Sequence, residues 1–402
     1  MQPIKVMAIF GTRPEAIKMA PVVKQLKQEE DFKAVVTVTA QHREMLDQVL
    51  ELFDIVPDYD LGIMSEAQTL SEIMVKCLSG LVEPIRAVAP DLVLVHGDTA
   101  TTVAGALAAF YHRVAVGHVE AGLRTGEKYN PYPEEMNRRL TAVLADLHFS
   151  PTPNHRRNLI REGIDPGAIF VTGNTVIDAL FEVIKVDHEF SDPLLASIPY
   201  DQYRVILVTA HRRENWGEPF RRIMRAVARI AREFPDVLVI FPVHMNPVVR
   251  EPAKELLGAL ERVYLVDPVD YLTMANLMKR SYMILTDSGG LQEEAPSLGK
   301  PVLVLRSVTE RPEGIEAGTL RLVGTDEDAI FAEASKLLKD SLEYSRMAQA
   351  RNPYGDGRAS KRIVDAIRYY FGRSPDPPQE FHPPSSLESI VTCPASRGND
   401  RL

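Results

Sequence analysis

The sequence predicts an α/β protein built from two doubly wound parallel-sheet domains that face a central cleft. Three observations carry this reading. Strand-like and helix-like segments alternate along nearly all of the 402 residues, and such alternation builds parallel sheets through right-handed crossovers. The strand candidates are short, continuous Val/Ile/Leu runs, as strands covered on both faces require. A polar stretch at 186–193 separates two halves of similar design, in line with the two or three domains that the length suggests. The ligands of such sheets sit beyond the carboxyl ends of the strands, so two sheets with those ends opposed enclose a cleft.

Composition narrows the function. The chain is 45% hydrophobic and 25% charged, ordinary values for a globular protein. A net charge of -9 argues against a nucleic-acid partner, which usually meets a basic face. The two cysteines, Cys77 and Cys393, are too few for a disulfide framework or a cysteine metal site. No signal peptide and no membrane-spanning run is read from the sequence, so a reduced, cytoplasmic protein is expected.

In the first half, strands are expected at 4–10, 33–39, 92–96, 114–119, 147–150 and 169–171. After the first comes Gly11-Thr12-Arg13-Pro14-Glu15. Thr12 and Glu15 have capping-box spacing and open a helix over 14–28. The cap explains those two without requiring Arg13 or Lys18, which place cations beside the helix start and suit an anion. After 92–96 comes Asp98, which taken alone reads better as an N-cap for the helix that follows. After 114–119 comes Glu120, flanked by small residues at a strand end, an odd place for a purely structural carboxylate. Glu134 and Glu135 open a further helix, where the dipole accounts for acids in the first turn.

In the second half, strands are expected at 205–209, 237–241, 263–266, 283–286, 302–305 and 320–323, with a helix at 220–234. His211 follows the first of them and can act as acid, base or phosphate partner near neutral pH, or be an ordinary loop histidine. His244, after 237–241, reads as a strand-end polar contact. The most informative stretch is Leu285-Thr286-Asp287-Ser288-Gly289-Gly290-Leu291-Gln292-Glu293-Glu294. A buried strand breaks at Ser288-Gly289-Gly290 and passes straight into a helix. Its free N–H groups and positive end suit a phosphate, and the glycines let a ligand approach the backbone. Glu294, about one turn on, can accept from ribose hydroxyls. From 374 to 402, Pro- and Ser-rich sequence reads as a disordered tail.

Absent motifs also inform. No G-x-G-x-x-G follows the first strand and no G-x-x-x-x-G-K-[ST] occurs, so neither a dinucleotide cofactor nor a P-loop is expected. No metal motif is present. Asp98, Glu120, Glu134 and His211 form a titratable set expected at one cleft beside a phosphate grip, as a proton-transfer enzyme requires.

These segments resemble the bacterial non-hydrolysing UDP-N-acetylglucosamine 2-epimerases. The resemblance is carried by Phe10-Gly11-Thr12-Arg13-Pro14-Glu15, Gln41-His42-Arg43, His96-Gly97-Asp98-Thr99, His118-Val119-Glu120-Ala121-Gly122-Leu123-Arg124, Pro133-Glu134-Glu135-Met136-Asn137-Arg138, Thr209-Ala210-His211-Arg212-Arg213-Glu214-Asn215, Leu285 to Pro296, Thr309-Glu310-Arg311-Pro312-Glu313 and Asn352-Pro353-Tyr354-Gly355-Asp356-Gly357. It covers about 1–370. It implies a GT-B-like fold of two Rossmann-like domains, here 1–185 and 194–351, with the C-terminal helix at 352–373 crossing back to the first. It implies interconversion of UDP-N-acetylglucosamine and UDP-N-acetylmannosamine through a 2-acetamidoglucal, without cofactor or metal, in a homodimer. Asp98, Glu120 and Glu134 then look like catalytic carboxylates and His211 like a partner of the diphosphate. Arg13, Lys18, Ser288, Gly289, Gly290, Glu294 and Arg311 look like UDP contacts. A second UDP-sugar can act as activator in members of the family, and Gln41, Glu134, Arg212 and His244 match its site. Glu44 and Ala67 depart from it, standing where a glutamine and an arginine occur in activated members. The alternatives are a GT-B glycosyltransferase using a UDP-sugar donor and a non-catalytic nucleotide-sugar sensor.

Overall fold

The computed structural model describes residues 2–40, 43–65, 68–184 and 188–383. Its first lobe holds the strands β1 (Ile4–Phe10), β2 (Phe32–Val38), β3 (Tyr59–Asp60), β4 (Leu92–His96), β5 (Ala115–Val119), β6 (Leu147–Ser150) and β7 (Ile169–Val171). Its second holds β8 (Arg204–Thr209), β9 (Val237–Pro242), β10 (Val263–Val266), β11 (Met283–Thr286), β12 (Val302–Val304) and β13 (Leu320–Leu322). The sheet orders are β3-β2-β1-β4-β5-β6-β7 and β10-β9-β8-β11-β12-β13, and every pairing is parallel. Both orders reverse direction at a switch point, between β1 and β4 and between β8 and β11, where doubly wound sheets leave a crevice.

The expected strands are all present, with ends differing by at most one residue. β3 was not expected. It has two residues, Tyr59 and Asp60, paired with Thr37 and Val38, and carries no apolar run to betray it.

The helix at Ala359–Tyr370 returns to the first lobe. It buries Ile363, Val364 and Ile367 against the helices Arg13–Gln28 and Thr175–Val183, each such side chain contributing about 1.5–3 kcal/mol. Asp178 supplies its cap from outside, accepting from Ser360 N–H at 2.8 Å and Ala359 N–H at 3.1 Å. At the other end Arg368 donates to Asp31 and Glu29 at 2.9 and 2.6 Å.

The tail expected from 374 is held down over its first part, which corrects that reading. Phe381 is buried and its N–H donates to Val171 O at 2.7 Å. Glu380 accepts from Arg156 at 2.9 Å and from Val171 N–H at 3.2 Å. A Pro-rich composition does not disclose that Phe381 finds a pocket and Glu380 a cation along the open edge of β7. Residues 384–402 lie outside the described residues, as do 185–187 of the expected joint.

Candidate active site

On the first lobe the chain enters the cleft at the ends of β1, β4 and β5. Gly11 follows β1 where a Cβ would stand 1.9 Å from Thr39 Oγ1, so only glycine lets the turn pass. Glu15 reaches back to Thr12 N–H at 2.8 Å and Gly11 N–H at 3.1 Å, the expected cap. It also accepts from Thr99 Oγ1 at 2.7 Å, which ties the ends of β1 and β4 together. Lys18, one turn into that helix, donates to Glu120 Oε2. Glu120 ends β5 with a left-handed backbone, φ +62°, which turns its side chain out of the strand. Its Oε2 also accepts from Asn174 Nδ2 at 3.1 Å and lies 3.4 Å from His96 Nε2.

Burial opposes charge on both partners of this pair, and mutual attraction overcomes it. Glu120 is held well below the ordinary carboxylate range by Lys18 and His96. Lys18 is held above the ordinary lysine value by Glu120 and Glu293.

On the second lobe Asp287, wholly buried after β11, organises the loop after β8. Its Oδ2 accepts from the N–H groups of His211 and Arg212 at 2.9 and 2.8 Å and from Asn215 Nδ2 at 3.1 Å. Its Oδ1 lies 3.5 Å from His211 Nδ1. Burial lowers the pKa of His211 more than Asp287 raises it, so the ring is neutral at pH 7. It stacks on His244 with ring centres 5.9 Å apart. Ser288, Gly289 and Gly290 lead into the helix Gly289–Glu294. A Cβ on Gly289 would stand 3.3 Å from the Arg311 guanidinium. Arg311 donates to Glu293 at 2.8 Å and Glu310 at 3.0 Å, and these acids hold its charge against burial. Glu294 accepts from Tyr271 Oη at 2.8 Å; burial pushes its carboxyl up to about 7.

Between the lobes lies a cavity of about 450 Å³. It brings together Arg13 and Lys18 with His211, His244, Ser288, Gly290, Glu294 and Arg311, nearly all the expected nucleotide contacts. Three cations and a neutral imidazole suit a diphosphate, and Glu294 with Tyr271 offers polar contacts for a ribose. Glu120 lies behind Lys18, in a recess shared with His155, Asn174, Glu293, Glu313 and Tyr354.

Asp98 and Glu134 do not line the cavity. They belong to the first lobe, outside that lining. Asp98 is two residues beyond His96 and accepts from Arg138 Nε at 2.9 Å. Glu134 starts the helix Glu134–Leu144, and its Oε2 is buried with no hydrogen-bond partner among the described residues. Glu135 fixes the preceding loop by accepting from the N–H groups of Thr125 and Gly126.

Arg212 and His244 border a second hollow of about 450 Å³ next to His211, and Arg212 Nε is buried there with no partner among the described residues. Glu134 does not line it. Gln41 and Ala67 lie outside the described residues. Among the described residues no His, Cys, Asp and Glu side chains are grouped to hold a metal ion.

Sequence reasoning gave no role to Asp287, Asn174 or Glu293. Asp287 sat inside the quoted motif and was detectable as a carboxylate at a strand end. Asn174 is the helix cap after β7 and looked like nothing more.

Two facing doubly wound lobes, with cations and carboxylates meeting at their strand ends, define an α/β enzyme of GT-B-like fold. The chain belongs to the UDP-N-acetylglucosamine 2-epimerase family, whose model matches residues 24–368. It is 56% identical to the UDP-N-acetylglucosamine 2-epimerase of Bacillus subtilis over 381 residues, 95% of this chain and 99% of that one. It is 55% identical to the Escherichia coli K12 enzyme over 370 residues, covering 91% and 98%. The crystal structure of the Neisseria meningitidis UDP-GlcNAc 2-epimerase bound to UDP-GlcNAc superposes with a TM-score of 0.82 at 49% identity, covering 91% of this chain and 100% of that one.

Proposed function

We propose that the chain interconverts UDP-N-acetylglucosamine and UDP-N-acetylmannosamine by eliminating and re-adding UDP. The observation that carries this is the meeting, at one cleft, of a buried carboxylate, Glu120, with cations of both lobes, Lys18 and Arg311.

The C2 proton of the sugar lies next to an acetal carbon and is not acidic. Without oxidation at C3, the route left is to break the C1–O bond to UDP as a base removes that proton. UDP leaves with the bonding pair and a C1=C2 glycal remains. A proton delivered to C2 from the opposite face and return of UDP to C1 complete the inversion. Arg13, Lys18 and Arg311 hold the diphosphate as its charge grows, and neutral His211 can donate to it. Glu120, kept ionised by Lys18, is suited to act as base. Asp98 and Glu134, on the same lobe, complete the carboxylate set that shares the proton transfers. Closure of the lobes keeps water from the glycal.

Incubation with UDP-N-acetylglucosamine alone in heavy water tests the reading. Deuterium should enter C2 while the nucleotide sugar stays intact. A glycosyltransferase awaiting an acceptor, or a silent sensor, would leave C2 unlabelled; a hydrolysing epimerase would release UDP steadily. Either result ends the proposal.

With this reading go a cytoplasmic location and a homodimer. The exposed side chains of Phe110 and Tyr111 on the helix Ala100–Tyr111 and of Leu140 and Val143 on the adjoining helix Glu134–Leu144 offer the apolar face for the dimer. A second UDP-sugar acting as activator would use the hollow at Arg212 and His244.

A further inference from the structure

One amide joins the carboxylates of the two lobes. Asn174 Nδ2 donates to Glu120 Oε2 at 3.1 Å and to Glu293 Oε2 at 2.9 Å. Asn174 Oδ1 accepts from Val176 N–H at 3.0 Å, capping the helix Thr175–Val183. That cap fixes which way the amide points. Turned over, it would set its oxygen against two carboxylates and its NH₂ against a backbone N–H.

The same geometry separates the two oxygens of Glu120. Oε2 takes Lys18 and Asn174 and faces His96; Oε1 has no hydrogen bond among the described residues and is not shut away from solvent. Glu293 is held in its turn by Arg311 Nε on Oε1 at 2.8 Å and by Asn352 Nδ2 on its backbone oxygen at 2.7 Å. Asn174 and Glu293 are both buried. A continuous polar path therefore runs from Arg311, in the nucleotide grip, through Glu293 and Asn174 to Glu120.

We propose that Asn174 and Glu293 are positioning residues: they lock Oε2 of Glu120 so that Oε1 alone is presented to the sugar. This rests on the epimerase reading and adds to it a link between the grip on UDP and the proton-transferring carboxylate.

Two substitutions separate this role from helix capping. Asn174→Ser keeps a good cap but is too short to reach either carboxylate. Asn174→Asp keeps cap and reach but replaces the donor by a third anion. Losing a donor to ionised Glu120, or adding a negative charge beside it, raises its pKa. The acidic limb of the kcat–pH profile should therefore move to higher pH, by about one unit for Asn174→Asp. Both variants should lose kcat about tenfold or more, while UDP binding measured by calorimetry changes by less than about threefold. Glu293→Gln should lower kcat in the same sense. Wild-type kcat and an unmoved acidic limb in Asn174→Ser would overturn the proposal. So would loss of UDP binding in step with activity, which marks a merely structural residue. If Asn174→Asp fails to fold, Asn174→Ser decides. Absence of C2 exchange in the unaltered enzyme would instead defeat the epimerase reading, so the two failures are told apart.

Discussion

At the scale of single residues, two carboxyl groups are shifted in opposite directions, one lowered by a cation and one raised by burial. Glu120 meets Lys18 and is kept ionised. Glu294 is buried, and although Tyr271 donates to it, its carboxyl rises to about 7. In the folded protein Glu294 therefore binds its proton more tightly than in the unfolded chain, where a carboxyl titrates near ~4.3. Its contribution to stability is complete below that value and is lost as pH rises to about 7. Glu294→Gln mimics the neutral acid. Without ligand, the Tm of the variant should gain on the wild type between about pH 4 and pH 7 and keep a constant lead above; parallel curves would deny the burial effect. Asp98 is tested by kinetics. Asp98→Asn should lower kcat by ~100-fold or more with UDP still bound, and near-normal turnover would remove it from the proton transfers. Arg138 grips Asp98 through the side chain, so the neutral amide also loosens that contact; circular dichroism of the helix Glu134–Leu144 region provides the control.

At the scale of elements, function sits where strands hand over to helices. The turn after β11 is the clearest case. Gly289 faces the Arg311 guanidinium at a distance that leaves no room for a methyl group without a shift. Gly289→Ala should push Arg311 back and weaken UDP binding several-fold, by about 1 kcal/mol, with kcat lowered less; unchanged UDP affinity would show that Arg311 gives way freely. This element was legible in the sequence because a buried parallel strand is a continuous apolar run and Ser288-Gly289-Gly290 breaks it abruptly. The other strands were legible for the same reason. β3 was not, since two residues hold no pattern. Phe381 was hidden by the prolines around it. The cation and carboxylate set at the strand ends could be read because Arg13, Lys18 and Glu120 exceed what capping needs. Asn174 could not, because cap duty explains an asparagine there completely. Only the fold shows that its second hydrogen-bonding group faces two carboxylates.

At the scale of the whole molecule, one apolar core runs through both lobes, polar groups join them at the site, and the surface they leave outside is partly apolar. The helix Ala359–Tyr370 ties the end of the chain to the first lobe, and Asn174 with Glu293 ties the lobes at the site. Neither covers the face of Phe110, Tyr111, Leu140 and Val143. Val143 is 81% and Tyr111 67% exposed, and the helices that carry them pack side by side. Large apolar side chains left exposed on adjacent helices offer a surface for a partner. A second copy of the chain is the simplest occupant, because a twofold axis buries the same patch on both. A glutamate placed in its middle would be buried unpaired in the dimer, yet would stand in water in the monomer. Val143→Glu and Tyr111→Glu should therefore shift the protein from dimer to monomer in sedimentation velocity, with the first lobe folded as before. Val248→Glu, on the second lobe and 44% exposed, should leave the dimer intact. Dimers that persist in both first-lobe variants, or dissociate in the second-lobe control, would place the interface elsewhere. The site itself draws on both lobes of one chain, so a monomer released this way should still exchange the C2 hydrogen of UDP-N-acetylglucosamine for deuterium.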